Sequence, residues 1–291
     1  MSLSKTDLMA YLRTLLILGR ASNLPTVWSN CLAGWLLGGG GTSETFALLI
    51  LGATLLYLAG MFLNDALDVQ FDRQYRPQRP IPSGAISESA VWQWGLSFLV
   101  LGLFLLSSLG RMTTILTILL GASLVIYDLV HKVFSLSPLL MAACRFFLFL
   151  VAGSCSFDGV TGLTLWSALA LASYIVGLSY LARKESRPGA LQYWPCLFLA
   201  TPMILALIVD RGTYRIRGIM LSAILGIWIL KSLLHVYWFP QRNVGRSVSG
   251  LLAGIVLVDA LAIAGGSPLA ALAFLGLFGL AVIFQRFIPA T

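Results

Sequence analysis

Apolar runs close to the roughly 20 residues that a bilayer requires recur along the chain. They lie at 22–38, 45–63, 89–109, 112–130, 136–154, 163–182, 190–209, 216–236, 246–264 and 268–286, with polar and charged residues gathered between them. The pattern predicts an all-helical, polytopic membrane protein with ten candidate transmembrane helices. The run 246–264 is the most polar, because it holds Arg246, Ser247, Ser249 and Asp259. No compositional break, Ser/Gly linker or low-complexity tract divides the chain, so residues 1–291 read as one domain. With the N-terminus in the cytoplasm, thirteen Lys and Arg residues from Lys5 to Arg286 fall on one side. Only Arg111, Arg211, Arg215 and Arg217 fall on the other. That bias obeys the positive-inside rule and predicts an inner (plasma) membrane protein whose polar loops, the longest being 64–88, face the cytoplasm.

Composition agrees with the pattern. Hydrophobic residues are 58% and charged ones 10%, with a mean hydropathy of +0.90, where an ordinary soluble domain carries about 25% charged residues. The net charge of +8 does not indicate nucleic acid, because no basic block occurs and the cations lie singly or in threes between apolar runs. Cys31, Cys144, Cys155 and Cys196 sit in or beside apolar runs without paired spacing and read as reduced packing residues. Met1 to Arg20 has an apolar centre but no small-residue cleavage site after it, which argues against a removed signal peptide.

The exception to the apolar pattern is Asn64-Asp65-Ala66-Leu67-Asp68-Val69-Gln70-Phe71-Asp72. It puts three carboxylates and an amide into nine residues at the end of the second run. On a helix Asn64, Asp68 and Asp72 follow at i, i+4 and i+8, and Asp65 precedes Asp68 by three, so all four fall on one side. Each Asp in the middle of a span costs roughly 2.5–3.5 kcal/mol on insertion scales. The ladder therefore reads as a cation-binding face near a water-filled mouth.

Beyond it, Pro77, Pro80, Pro82 and Gly84 rule out continuous helix and make a stiff loop holding Arg73, Arg76 and Arg79. Guanidinium groups suit phosphate oxygens, and carboxylates beside arginines fit a polyanion held through bridging divalent ions such as Mg²⁺. Taken alone, the loop also fits a positive-inside anchor. Tyr127 and His131 share a helical face with Lys132 next to them, an arrangement that also fits an interfacial belt. Arg145 lies inside a run, where a buried Arg faces a polar cavity or an acidic partner.

Asn64 to Asp72 in the form NDxxDxxxD, followed by Arg76-Pro77-Gln78-Arg79-Pro80-Ile81-Pro82-Ser83-Gly84, resembles the UbiA superfamily of intramembrane prenyltransferases. Arg20-Ala21-Ser22-Asn23-Leu24-Pro25 and the Tyr127 segment add to the likeness, which covers roughly residues 15 to 190 well. The resemblance implies helices around a central cavity open to lipid, and two Asp-rich motifs holding Mg²⁺ on a prenyl diphosphate. Ionisation to an allylic cation and attack by a lipophilic, commonly aromatic acceptor would follow. It makes Asn64, Asp65, Asp68 and Asp72 metal and diphosphate ligands, with Asn64, Asp68, Asp72, Lys132 and Glu185 as catalytic groups. Arg73, Arg76, Arg79, Tyr127, His131, Arg145, Arg183 and Lys184 become substrate contacts, and Arg20 and Asn23 lie toward the acceptor. A prenyl tail worth about 0.8 kcal/mol per buried CH₂ already resides in membrane lipid. Sixteen Phe, eight Trp and nine Tyr residues offer rings to face a cation.

The chain departs from the family pattern at two places. Where the second Asp-rich motif belongs it reads Tyr180-Leu181-Ala182-Arg183-Lys184-Glu185-Ser186-Arg187, with Glu185 the single acid and candidate second metal ligand. His131 stands where the family carries the Lys of a Tyr-x-x-x-Lys segment, with Lys132 beside it. The first departure leaves three readings: one metal suffices, the bases contact diphosphate directly, or the chain is a non-catalytic or transport-like relative that binds a prenyl lipid or diphosphate. A CDP-alcohol phosphotransferase also clusters Asp, but its motif carries a Gly and an Ala-Arg pair that Ala66-Leu67 and Val69-Gln70-Phe71 do not supply. The family has nine spans where ten runs are counted here.

Overall fold

The computed structural model describes residues 5–186, 192–209, 212–238 and 243–290, all helix, turn and loop with no strand among the described residues. Twelve helices follow in order: α1 Lys5–Leu18, α2 Leu24–Leu37, α3 Ser43–Leu67, α4 Val69–Tyr75, α5 Glu88–Ser107, α6 Arg111–Val130, α7 Ser137–Ser154, α8 Gly162–Ser186, α9 Pro195–Val209, α10 Thr213–Tyr237, α11 Val244–Ala262 and α12 Pro268–Phe284. Every one of the ten apolar runs became a helix. Seven helices among the described residues, α3, α5, α6, α7, α8, α10 and α11, are long and apolar enough to cross a membrane; of the ten expected spans, α2, α9 and α12 are shorter, at 14, 15 and 17 residues.

Local signals set the ends. Thr42, Ser87 and Ser267 each accept a backbone N–H three residues on, capping α3, α5 and α12. Pro25, Pro138 and Pro268 sit in first turns, where their missing N–H does no harm. The helix α1 was not among the apolar runs. Its Leu8, Leu12 and Leu16 lie one turn apart and exposed, the signature of a helix with one face toward lipid.

Helices adjacent in sequence pack side by side. The helix α3 lies along α5 and both meet α6, which passes to α7; α7 packs on α8, and α8, α9, α10 and α11 follow in turn. The helix α2 fills the middle, packing on α3, α7, α11 and α12. Its close approach to α7 needs Gly34, where a Cβ would run into the Phe149 carbonyl and the Ala152 methyl. The outer surfaces are apolar, with Leu96, Val100 and Phe104 exposed on α5 and Leu269, Leu272 and Leu275 on α12, while Asn30, Asp72 and Asp259 are buried inside. Apolar outside and polar inside is the arrangement that lipid as solvent dictates. The four cysteines are unpaired.

Candidate functional site

The acid ladder stands at the junction of α3 and α4. The helix is interrupted only at Asp68 (φ −86°, ψ −1°), and the Asp68 N–H to Asn64 carbonyl (3.0 Å) and Asp72 N–H to Asp68 carbonyl (2.9 Å) bonds carry the i→i−4 pattern across it. The four side chains thus share one side but divide along its two edges. Asp65 and Asp72, seven residues apart, both meet Arg79, whose Nη1 lies 3.0 Å from Asp65 Oδ1 and 2.9 Å from Asp72 Oδ2. Asn64 and Asp68, four apart, face the end of α6 instead.

Arg79 reaches back because the 76–87 loop is a series of tight turns, Ser83 N–H bonding to the Arg79 carbonyl at 3.0 Å. Arg20 approaches Asp65 from the other side at 3.4 Å. Its backbone is left-handed (φ 40°), the one non-glycine residue so held among the described residues, and strain of this kind concentrates at functional sites. The Tyr57 hydroxyl donates to the Arg20 carbonyl at 3.1 Å.

At the end of α6, Lys132 Nζ lies 2.7 Å from Asp68 Oδ1 and His131 Nε2 3.4 Å from Asp68 Oδ2. Lys132 also sits over the Phe71 ring, 4.3 Å from its centroid, and His131 stacks on Tyr127 one turn earlier at 5.2 Å. Burial raises the Asp68 carboxyl, but the hydrogen bonds and charges of His131 and Lys132 outweigh it and hold Asp68 below the ordinary carboxylate range. Burial lowers His131, and the Asp68 partner more than reverses this. Asn64 Nδ2 donates to Asp128 Oδ1 at 3.1 Å. Asp128 was passed over in the sequence because it lies inside an interfacial-looking segment; the available signal was a carboxylate in the last turn of an apolar run, one residue after Tyr127.

A pocket opens beside this cluster between α2, α3, α6 and α7. Leu56, Met61, Leu120, Leu124 and Leu148 give it apolar walls, and Tyr57, Tyr127, Asp128 and Arg145 its polar points. Arg145, eight residues into α7, donates from Nη1 to the Thr26 carbonyl (3.1 Å) and Asn30 Oδ1 (2.7 Å), and from Nη2 to Thr26 Oγ1 (2.9 Å). The same Asn30 donates to Asp259 Oδ2 at 2.7 Å, and Ser29 Oγ does so at 2.5 Å. The acid that made the run 246–264 look polar is therefore buried in a chain linking α7, α2 and α11.

The remaining predicted residues are placed as follows. Arg73 pairs with Glu88 at 3.1 Å on the exposed side of α4. Arg76 ends α4 through its N–H to the Asp72 carbonyl at 2.8 Å. Asn23 Nδ2 donates to the Ala290 carbonyl at 2.9 Å, turning its amide toward the C-terminal residues. Arg183 donates to the Ser135 carbonyl, which ties the end of α8 to the loop that begins at His131. Lys184 occupies the last turn of α8. Glu185 is in the same turn, but its side chain, like the whole of Arg187, lies outside the described residues.

No three carboxylate, imidazole or thiol groups among the described residues converge as a ready metal site; Arg79, Lys132, His131 and Asn64 meet the carboxylate oxygens instead. The donor set nevertheless suits Mg²⁺. Its members are hard oxygens, and two of them, Asp72 Oδ1 and Asp128 Oδ2, are buried without a hydrogen-bond partner, which native structures rarely leave so.

Known proteins resemble the chain in sequence and in fold. Digeranylgeranylglyceryl phosphate synthase of Methanoregula boonei is 44% identical over 64 residues, 22% of this chain and 23% of that protein. The corresponding synthase of Methanoculleus marisnigri is 26% identical over 168 residues, 57% of this chain and 60% of that one. The 4-hydroxybenzoate octaprenyltransferase of Pectobacterium atrosepticum is 32% identical over 108 residues, 36% of this chain and 38% of that one. The matches thus span less than two thirds of these relatives' length. In fold, a UbiA homolog from Archaeoglobus fulgidus bound to GPP and Mg²⁺ superposes with a TM-score of 0.66 at 14% identity, covering 91% of this chain and 99% of that one. A digeranylgeranylglyceryl phosphate synthase structure gives 0.60 at 16%, covering 96% and 99%. The model of the UbiA prenyltransferase family matches residues 24–290, and this integral membrane chain belongs to that family.

Proposed function

We propose that the protein transfers an isoprenoid chain from a prenyl diphosphate to a lipophilic acceptor, in the simplest case an aromatic ring, as a single domain within the membrane. The observation that carries this reading is the buried ladder of Asn64, Asp65, Asp68 and Asp72, joined through Asn64 to Asp128 on the wall of an apolar pocket. The names of the relatives support it.

Mg²⁺, when bound, would neutralise the diphosphate and stabilise the negative charge that grows as it departs. The ladder acids would hold the metal. Arg79, Lys132 and Arg20 stand within reach of the same acids, so each can turn from a carboxylate to a phosphate oxygen as the ligand enters. Transition-state charge is then met by donors already in place. Leu56, Leu120, Leu124 and Leu148 receive the prenyl chain and keep water from the reacting carbon, and Tyr57 and Tyr127 offer ring faces to positive charge. Arg145, the one cation on the pocket wall among the described residues, donates to Thr26 and Asn30 and so holds α2 and α7 in place along the pocket. The charge bias of the loops supports a plasma-membrane location with the ladder on the cytoplasmic side.

Purified protein with Mg²⁺ should be stabilised by farnesyl or geranylgeranyl diphosphate in a thermal-shift assay and should release pyrophosphate with a suitable acceptor. Absence of both effects, with Asp68→Asn behaving as the parent, would end this reading. Stabilisation without pyrophosphate release across a panel of acceptors would favour the second reading, a binding or transport-like relative, which the single acid at Tyr180–Arg187 supports.

A further inference from the structure

Asp128 is an acid that the two Asp-rich motifs do not include, and its surroundings differ from those of the ladder acids. Arg79 meets Asp65 and Asp72, and Lys132 and His131 meet Asp68. The side-chain partner of Asp128 is the neutral amide of Asn64, on Oδ1 alone. Oδ2 is buried and has no hydrogen-bond partner. The residue is 6% exposed and stands on the pocket wall beside Tyr127. Asp259 Oδ1 is left without a partner too, but Asp259 does not line the pocket, whereas Asp128 stands on its wall, where an incoming cation can meet the free oxygen.

The neighbours say what kind of partner. Asn64 gives its N–H₂ to Asp128, which leaves the carbonyl end of the amide as a hard oxygen donor. Asp68 follows Asn64 by one turn and adds two carboxylate oxygens. His131 ties Asp68 to α6, bonding the Asp68 carboxylate through Nε2 and facing the Asp128 carbonyl through Nδ1 at 3.2 Å. An amide oxygen and two carboxylates drawn from two helices form an all-oxygen set of the kind that divalent magnesium or manganese takes, with water and phosphate completing the shell.

We infer that Asp128 is a metal ligand of this protein: with Asn64 and Asp68 it forms a divalent-cation site on the pocket side of the ladder, in place of the carboxylates missing from the Tyr180–Arg187 segment. This rests on the ladder's being a metal-dependent diphosphate site. It places one ion against Asp128 and leaves Asp65 and Asp72 for another. Glu185, flanked by Arg183 and Lys184, is then not needed as a ligand.

The test is Mn²⁺ binding to the full chain in detergent, read by electron paramagnetic resonance with and without geranylgeranyl diphosphate, for the parent, Asp128→Asn, Asp128→Glu, Asp68→Asn and Glu185→Gln. Asp128→Asn keeps the shape of the side chain but removes its charge. The expected result is a tenfold or greater loss of Mn²⁺ affinity, or the loss of one bound ion, in Asp128→Asn. Asp128→Glu should retain the affinity within about threefold, and the unfolding temperature of Asp128→Asn should be no lower than that of the parent. Parent-like Mn²⁺ binding in Asp128→Asn, with Asp68→Asn defective, would overturn the inference while leaving the proposed function standing. Loss of an ion in Glu185→Gln but not in Asp128→Asn would overturn it in favour of the second motif. No Mn²⁺ binding by the parent under either condition would overturn both.

Discussion

Between the Asn64–Asp72 ladder and the Arg145–Asn30–Asp259 chain, both enclosed by apolar helices, the difference lies in what satisfies the charge. In the second, one cation and one anion are joined through an amide that accepts from the first and donates to the second. Thr26 and Ser29 add further bonds, and the three helices α7, α2 and α11 are pinned together. In the first, four acids counting Asp128 gather cations from loops and helix ends; a carboxylate oxygen without a partner remains in each, Asp72 Oδ1 and Asp128 Oδ2 in the first and Asp259 Oδ1 in the second. What separates them is where the partners come from: the second is held wholly within three packed helices and reads as architecture, and the first draws on loops and helix ends beside a pocket and reads as a ligand site. Burial alone does not distinguish them, since Asp259 is as enclosed as Asp72.

The largest effect that separates the two is on stability. Arg145→Met leaves Asp259 buried without its distant counter-charge, and breaking a buried pair from one side costs about 3–5 kcal/mol. The double variant Arg145→Met, Asp259→Leu removes both charges and should recover most of that loss. Equilibrium unfolding in detergent measures both. A single variant within about 1 kcal/mol of the parent, well under the cost of a broken buried pair, would remove the distinction from this side.

On the ladder the contrast reverses, with activity falling more than stability. Asp72→Asn takes a charge from the metal face but keeps a side chain of the same shape against Arg79. Prenyl transfer should drop about 100- to 1000-fold, the scale for losing a group that meets developing charge. Arg79 keeps Asp65 as a counter-charge at 3.0 Å, so the unfolding free energy should fall by less than the cost of a wholly broken buried pair. Initial rates and an unfolding curve on the same preparation decide it.

The ladder was legible in the sequence because its signal is local. Four polar residues at helical spacing after an apolar run, then a proline-rich arginine loop, need no knowledge of the fold. The helices were legible for the same reason, since bilayer thickness fixes the length of each run. The division of the ladder into an Asp65/Asp72 edge and an Asn64/Asp68 edge was not legible, because it depends on where Arg79 and the end of α6 come to lie. Asp128 and Asp259 were missed on similar grounds. Each is a lone acid in an apolar run, and its meaning comes from a partner on another helix, Asn64 for one and Asn30 for the other. Arg145 was flagged as needing a polar cavity or an acid, and it has both, the pocket directly and Asp259 through one amide. The helix α1, too short and mixed to register as a span, acquires its role only when its exposed leucines are set against the packed side facing α3.

A middle-sized effect should come from Arg79, which bridges Asp65 and Asp72. Arg79→Ala removes a charged donor from the incoming diphosphate, and hydrogen bonds to charged groups are worth about 1.5–3 kcal/mol. Affinity for a prenyl diphosphate should therefore fall about 10- to 100-fold. The same change frees two carboxylates from an internal cation, so affinity for Mg²⁺ without diphosphate should rise. Opposite movements of the two constants in isothermal titration would show that Arg79 trades one partner for the other; a fall in both would make it a structural clamp.

The smallest effect belongs to Arg73, and it tests whether proximity in sequence is enough to join the site. Arg73 directly follows Asp72, yet it faces out and pairs with Glu88, the two side chains 60% and 40% exposed. Exposed pairs contribute about 0.2–1 kcal/mol at most and are screened by salt. Arg73→Ala should thus lower stability by no more than that, and less at high ionic strength. It should leave turnover within about twofold, because the side chain has no contact with the pocket to lose. Arg79 lies seven residues from Asp72 and should matter far more than its immediate neighbour. If Arg73→Ala lost activity on the scale of Arg79→Ala, α4 would have to rotate when substrate enters, and the ladder's two edges would not be the arrangement that acts on substrate.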